Sequence, residues 1–240
     1  MRRLLLCLAI AGCARAGKEN TIVGGLDDAG PRGDGLDAPP GDASAPQITL
    51  SQTASEEIVP GASFDCHDSS NSTSTNSYYR VFTLSDYGIA SPLHVLQVDF
   101  GIDTAHAGTG GKQPAMVNVG TYGGTTGGNT LNLSLVQPVN SASIQIPDGN
   151  GTRMTVPIPA DIAAGTSVIV ELAIPDGRTA KNVFHIAVNA QGERRPGYTF
   201  SPQCDGVNGS PLTMQSAAAA AGKGESDMVL TVTGTTDVPD

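Results

Sequence analysis

Thr166-Ser167-Val168-Ile169-Val170-Glu171-Leu172-Ala173-Ile174 sets Val168, Val170, Leu172 and Ile174 on one side of an extended chain and Glu171 on the other. Leu93-His94-Val95-Leu96-Gln97-Val98-Asp99-Phe100-Gly101-Ile102 repeats that period, with His94, Leu96, Val98, Phe100 and Ile102 against Val95, Gln97 and Asp99. Successive side chains of a strand point to opposite faces. A period of two that sorts apolar from polar residues therefore marks a sheet packed on one face and wet on the other. Thr130 to Gln137 reads the same way, with Leu131, Leu133 and Leu135 facing away from Asn132 and Ser134. Asn182 to Val188 and Met228 to Thr233 behave similarly.

The segments between these runs carry turn chemistry: Gly123-Gly124-Thr125-Thr126-Gly127-Gly128, Pro147-Asp148-Gly149-Asn150-Gly151 and Pro175-Asp176-Gly177. No long stretch keeps a helical period. Ala217 to Ala221 is stopped by Gly222 and Gly224 and reads as a loop. Roughly ten to twelve short strands without helices make an all-β protein. The sequence predicts an antiparallel β-sandwich, jelly-roll-like, over residues 48–238.

The formal net charge is −10, and only 15% of residues are charged. Nucleic acid and anionic membrane surfaces both need a basic face, so neither is expected as a direct partner. From residue 13 to 47 the chain is Gly, Pro, Asp and Ala with little to bury, as in Leu26-Asp27-Asp28-Ala29-Gly30-Pro31. Such a stretch cannot repay its ordering entropy and reads as a disordered linker, with a reach on the order of 30–35 Å as a flexible coil.

Residues 1–12 read as a signal peptide: Arg2 and Arg3, then an apolar run from Leu4 to Ala11. A membrane span needs roughly 20 apolar residues, and this run is far shorter. Ile10-Ala11-Gly12-Cys13 resembles the lipobox of bacterial lipoproteins. That resemblance implies cleavage before Cys13, a lipid (diacylglycerol and palmitate) on Cys13, and a membrane as partner through that anchor. Ala14 is not the Asp that retains many such lipoproteins in the inner membrane, so the resemblance implies the outer membrane or cell surface. Ala14-Arg15-Ala16 also suits ordinary signal peptidase, and cleavage there yields a free secreted or periplasmic protein. Both routes export the chain.

Cys7 leaves with the signal and Cys13 is the lipid site, which leaves Cys66 and Cys204. One disulfide between them is expected in an oxidising compartment, two separate thiols being the other reading.

Catalytic signatures are missing from the sequence. There is no Gly-x-Ser-x-Gly elbow and no His-Glu-x-x-His. Gly108-Thr109-Gly110-Gly111-Lys112-Gln113 lacks the spacing and the Ser/Thr of a phosphate loop. His67, His94, His106 and His185 show no local metal-ligand spacing, so no metal site is expected from them, although distant residues can converge. Asp65, Asp68, Asp99 and Asp103 are the residues from which a calcium site would be built, the one cofactor kept in view. Glu171 and Glu193 are the candidate carboxylates for glycoside hydrolysis, and nothing in the sequence pairs them. The chain is not expected to be an enzyme.

The candidate ligand contacts are Tyr78, Tyr79, Tyr122 and Tyr198; without Trp they make a modest stacking surface. Tyr78 and Tyr79 point to opposite faces of their strand. Asn76 to Phe82 (NSYYRVF), Val98 to Ile102 (VDFGI), Gly165 to Glu171 (GTSVIVE) and Tyr198 to Cys204 (YTFSPQC) resemble non-catalytic β-sandwich modules of secreted bacterial proteins. Such modules accompany peptidases or adhesins, and the resemblance implies no active-site residue here. The expected function is a non-catalytic envelope or surface lipoprotein that binds a protein or glycan partner. The alternatives are a purely structural envelope lipoprotein and a secreted hydrolase.

Overall fold

The computed structural model describes residues 46–204 and 209–236. The signal peptide, Cys13 and all but the last two residues of the 13–47 linker lie outside the described residues, as does the end of the domain after residue 236.

Thirteen strands are described: β1 (Gln47–Ser51), β2 (Asn76–Thr83), β3 (Leu93–His106), β4 (Pro114–Tyr122), β5 (Val136–Gln145), β6 (Gly149–Ile162), β7 (Ser167–Ile174), β8 (Val183–Ile186), β9 (Val188–Asn189), β10 (Gly197–Phe200), β11 (Leu212–Thr213), β12 (Asp227–Met228) and β13 (Leu230–Thr235). One sheet runs β1-β13-β3-β6, with β8 also on β3; the second runs β11-β10-β2-β7-β4-β5; β12 and β9 form a two-stranded ribbon. Every described pairing is antiparallel. The fold is an all-β antiparallel sandwich.

The inner faces of both sheets meet in one core. Tyr78, Phe82, Val117, Val119, Val168, Val170, Leu172 and Ile174 come from the six-stranded sheet. Leu50, Leu93, Val95, Val98, Phe100, Ile102, Val156, Ile158, Phe184 and Val232 come from the other. The alternation read in β7 is the one observed: its four even-numbered apolar residues are buried and Glu171 stands half-exposed on the far side. Cys66 and Cys204 are disulfide-bonded, with their Cα atoms 5.9 Å apart across 138 residues of chain.

Three local readings are corrected. In β3 the alternation does not run unbroken. Pairing with β6 slips between Val95 and Gln97, and pairing with β13 slips between Thr233 and Gly234. The bulge at Leu96 reverses the faces, so Leu93 and Val95 join Val98, Phe100 and Ile102 inside, while His94 and Leu96 leave the core. A one-residue insertion in a period of two does this, and no alternation pattern announces where it falls.

Thr130 to Gln137 is not a strand throughout. Leu133–Leu135 form a 3-10 turn, and β5 begins only at Val136. The Asn132 side chain accepts from Ser134 N–H at 3.1 Å and from the Ser134 hydroxyl at 2.8 Å, so local side-chain bonding replaces the ladder. Ala217 to Ala221 is not a loop: α1 spans Met214–Ala220, started by Thr213, whose hydroxyl accepts from Ser216 N–H at 3.1 Å. Alanine propensity and the burial of Met214 and Ala218 hold this short helix before the glycines end it.

Candidate functional site: the outer face of the six-stranded sheet

Registers across the six-stranded sheet line up side chains that are far apart in sequence. Tyr198 of β10 lies opposite Tyr79 of β2, Tyr79 opposite Glu171 of β7, Glu171 opposite Asn118 of β4, and Asn118 opposite Ser141 of β5. All five face outward, away from the core, because their neighbours Tyr78, Val117, Val170 and Leu172 face inward. The Asn118 amide donates to Glu171 Oε2 at 2.8 Å. Burial raises the Tyr79 phenol above its ordinary pKa, and the charge of Glu171 raises it further, so it stays protonated.

The next row is apolar. Val81 lies opposite Ile169, Ile169 opposite Gly120, and Gly120 opposite Pro138. The β4–β5 register slips between Val119 and Gly120, leaving Val139 as the extra residue on β5. The bulge brings Pro138 and Val136 to the outer side. A Cβ at position 120 would meet Gln137 O at 2.5 Å, so only glycine fits beneath β5 at this point. The result is a groove of about 410 Å³ bounded by Tyr79, Glu171 and Asn118 on one side and by Ile169, Leu133, Val136 and Pro138 on the other. Glu171 is the one charged side chain lining it among the described residues.

The groove ends against a second, smaller apolar cluster of Tyr79, Val81, Tyr122, Leu131, Ile169 and Tyr198. The segment from Gly123 to Leu135 covers it. Tyr198 Oη donates to Gly128 O at 3.1 Å, and Asn132 N–H donates to Tyr122 Oη at 3.4 Å. Of the four tyrosines named from the sequence, Tyr78 is a core residue at 1% exposure, against Phe184. Tyr79, Tyr122 and Tyr198 do converge on one face, but at 6%, 5% and 1% exposure they support the groove more than they line it. Asn118 was missed by sequence reading, and Glu171 was seen only as a possible catalytic acid. The available signal was a polar residue on the outer side of each central strand, which alone does not pair them.

The other candidate groups fall elsewhere. Glu193 pairs with Arg80, Nη2 to Oε2 at 3.1 Å, and Arg80 is fully buried. Arg80 follows Tyr79 and so points to the opposite face of β2 from Glu171; the two glutamates lie on different sides of the sheet. His67 Nδ1 and His185 Nε2 both approach Asp65 Oδ1, at 2.8 and 3.2 Å, so two distant histidines do converge on one carboxylate. Thr73 donates its hydroxyl to Asp65 Oδ2 at 2.8 Å. The two imidazoles and the threonine hydroxyl together hold Asp65 below the usual carboxylate range despite its burial.

Asp68 accepts from Ser70 and Ser72, Asp99 from Gln97 and Thr155, and Asp103 from Gly61 and Ser63. Among the described residues no group of three His, Cys, Asp or Glu side chains is placed to hold a metal ion.

Among solved structures the chain is similar to the cysteine protease and lectin-like domains of Cwp84, a surface layer associated protein of Clostridium difficile. The identity is 13% and the TM-score 0.45, over 69% of this chain. The chain spans 33% of the length of that solved chain. No family model matches the sequence. No curated protein matches it either.

Proposed function

We propose that this protein is a non-catalytic module of an exported bacterial envelope or surface lipoprotein, and that its outer-face groove binds a glycan. The observation that carries this reading is the outward row Tyr79, Glu171, Asn118 and Ser141 beside an apolar wall. Ligand sites combine a few placed polar groups with apolar lining, and a strand register holds such groups more precisely than a loop does.

The position of the acids speaks against glycoside hydrolysis by the Glu171 and Glu193 pair. Hydrolysis of a glycosidic bond needs two carboxyl groups about 5–10 Å apart across one cleft. Here Glu171 stands in the groove and Glu193 is bound to Arg80 on the opposite face. The disulfide fits an oxidising compartment. No helix among the described residues is long and apolar enough to cross a membrane, and in this reading attachment rests on the lipid of Cys13.

A protein partner is the second reading, favoured by a different observation. Met116, Leu135 and Val139 are exposed large apolar residues on and around β5, which is an edge strand.

The test is a glycan array probed with the full purified chain, followed by titration calorimetry on the strongest hits. Saturable binding to a related set of sugars is the expected result. A blank array together with no heat for neutral or charged oligosaccharides at millimolar concentration overturns the glycan reading and leaves the edge strand as the surface to pursue.

A further inference from the structure

Resting on the reading of this groove as a glycan site, we propose that it selects uncharged sugars, gripping two neighbouring hydroxyls through Glu171 and Asn118 while the ring's C–H face lies on Leu133, Val136 and Pro138.

The hydrogen-bonding inventory of the groove is lopsided toward acceptors. An ionised carboxylate offers about four acceptor positions. Asn118 Nδ2–H fills one, at 2.8 Å, and the Tyr79 phenol, held protonated, stands beside Glu171. The remaining acceptor positions face the groove, because Glu171 is half-exposed there. Asn118 adds its carbonyl oxygen and its second N–H. Two adjacent hydroxyls of a pyranose are the donors that match a carboxylate edge, and the Asn118 N–H serves the acceptor side of either hydroxyl.

The apolar half sets the orientation. Ile169 and Gly120 form the floor, and Leu133, Val136 and Pro138 rise beside it. A sugar ring has one face of C–H groups and a rim of hydroxyls. This groove presents an apolar wall along one side and a polar row along the other.

The charge of the groove decides what is refused. Glu171 carries the one charge in the lining, and no Lys, Arg or His lines it among the described residues. A uronic or sialic acid brings a second carboxylate into the same space with no cation to receive it, so like charges approach while both lose water. Specificity for neutral sugars then comes from rejection of acidic ones as much as from attraction.

The experiment uses the full chain and a titration panel of methyl glucoside, galactoside and mannoside with their short neutral oligosaccharides, the matching uronides, and glucosamine beside N-acetylglucosamine. The expected result is binding of at least one neutral member and at least tenfold weaker binding of its uronide. Glu171→Gln and Asn118→Ala are each expected to weaken the neutral ligand about tenfold, the loss of roughly one charge-assisted hydrogen bond. Leu133→Asp lies in the covering segment, in a 3-10 turn and not in a strand, and is expected to abolish binding even if the strand variants misfold. The melting temperature of each variant separates misfolding from loss of contact.

No binding by any sugar overturns the function proposed above. Binding that prefers a uronide, or that prefers glucosamine to its N-acetyl form, leaves that function standing and overturns this inference; binding that survives Glu171→Gln, Asn118→Ala and Leu133→Asp unchanged places the sugar outside this groove and overturns both.

Discussion

Arg80 and Glu193 are joined inside the protein. Arg80 Nη2 lies 3.1 Å from Glu193 Oε2, and the Arg80 side chain has no exposed surface. Arg80 Nη2 also donates to Met228 O, and Nη1 to Arg195 O at 3.2 Å, so one guanidinium ties β2 to two later segments. Burial pushes the Glu193 carboxyl up to about 7, with Arg80 pulling it back and Asp227 adding to the rise. A group whose folded pKa is raised favours the native state below its unfolded value, and that contribution is lost as pH rises through the folded value. Stability should therefore fall between about pH 4.5 and pH 7, by roughly 3 kcal/mol from this group. Glu193→Gln should flatten the dependence of melting temperature on pH in that window; an unchanged slope counts against the assignment.

Asp65 has the opposite sign. Its pKa is lowered, since the His185 ring beside it and the hydrogen bonds from His67 and Thr73 outweigh its burial. Its contribution is present above the ordinary carboxylate value of 3.8 and is lost as pH falls through the folded value. Asp65→Asn should cost about 1–3 kcal/mol at pH 7 and remove part of the steepness of acid unfolding below pH 4. Denaturant melts at pH 7 and pH 3 measure both.

Gly101 sits at a close three-strand junction in the core. Gly101 N donates to Val229 O at 2.9 Å, and Ala187 N donates to Gly101 O at 2.9 Å. A Cβ at position 101 would meet Ala187 Cβ at 2.6 Å. Gly101→Ala should destabilise by about 1–3 kcal/mol through overpacking, whereas Gly224→Ala, with open space around it, should change little. Urea unfolding of the two variants side by side tests the contrast.

The Cys66–Cys204 bond closes a long loop. In the chain-entropy model such a cross-link contributes on the order of 5 kcal/mol, an upper figure. Cys204→Ser should lower the unfolding midpoint strongly at neutral pH, and reduction of the parent protein should lower it by a similar amount. A midpoint equally high in the parent, in the reduced protein and in Cys204→Ser counts against a stabilising role for the bond.

The groove itself can be probed without a ligand. Asn132 holds the turn over Tyr122 by accepting from Ser134 and donating its own N–H to the tyrosine hydroxyl. Asn132→Ala should increase amide exchange in 123–135 by about tenfold and cost about 1 kcal/mol, with little effect on exchange in β7. Hydrogen exchange by mass spectrometry reads the two regions separately.

Which side of β7 is buried was legible in its residues, because Val168, Val170, Leu172 and Ile174 alternate without a break. The Cys66–Cys204 bond was legible once the other two cysteines were set aside, since two were left. The face of Leu96 was not: the bulge that turns it depends on both neighbours of β3, whose partner residues come from β6 and β13. The helix at Met214–Ala220 was hidden by its glycine-rich end, although Thr213 was a capping signal in plain view.

By itself the sequence determined an all-β chain with one packed face per sheet and one available pair of domain cysteines, because those properties follow from residue type and local period. Only the tertiary structure decided that Asn118 meets Glu171, 53 residues away, that three tyrosines share one covered face, and that Glu193 belongs to Arg80 on the other. Local period says which way a side chain points from its own strand. Strand order, register and the position of each bulge say whose side chain it meets, and those are settled by long-range pairing across the whole sandwich.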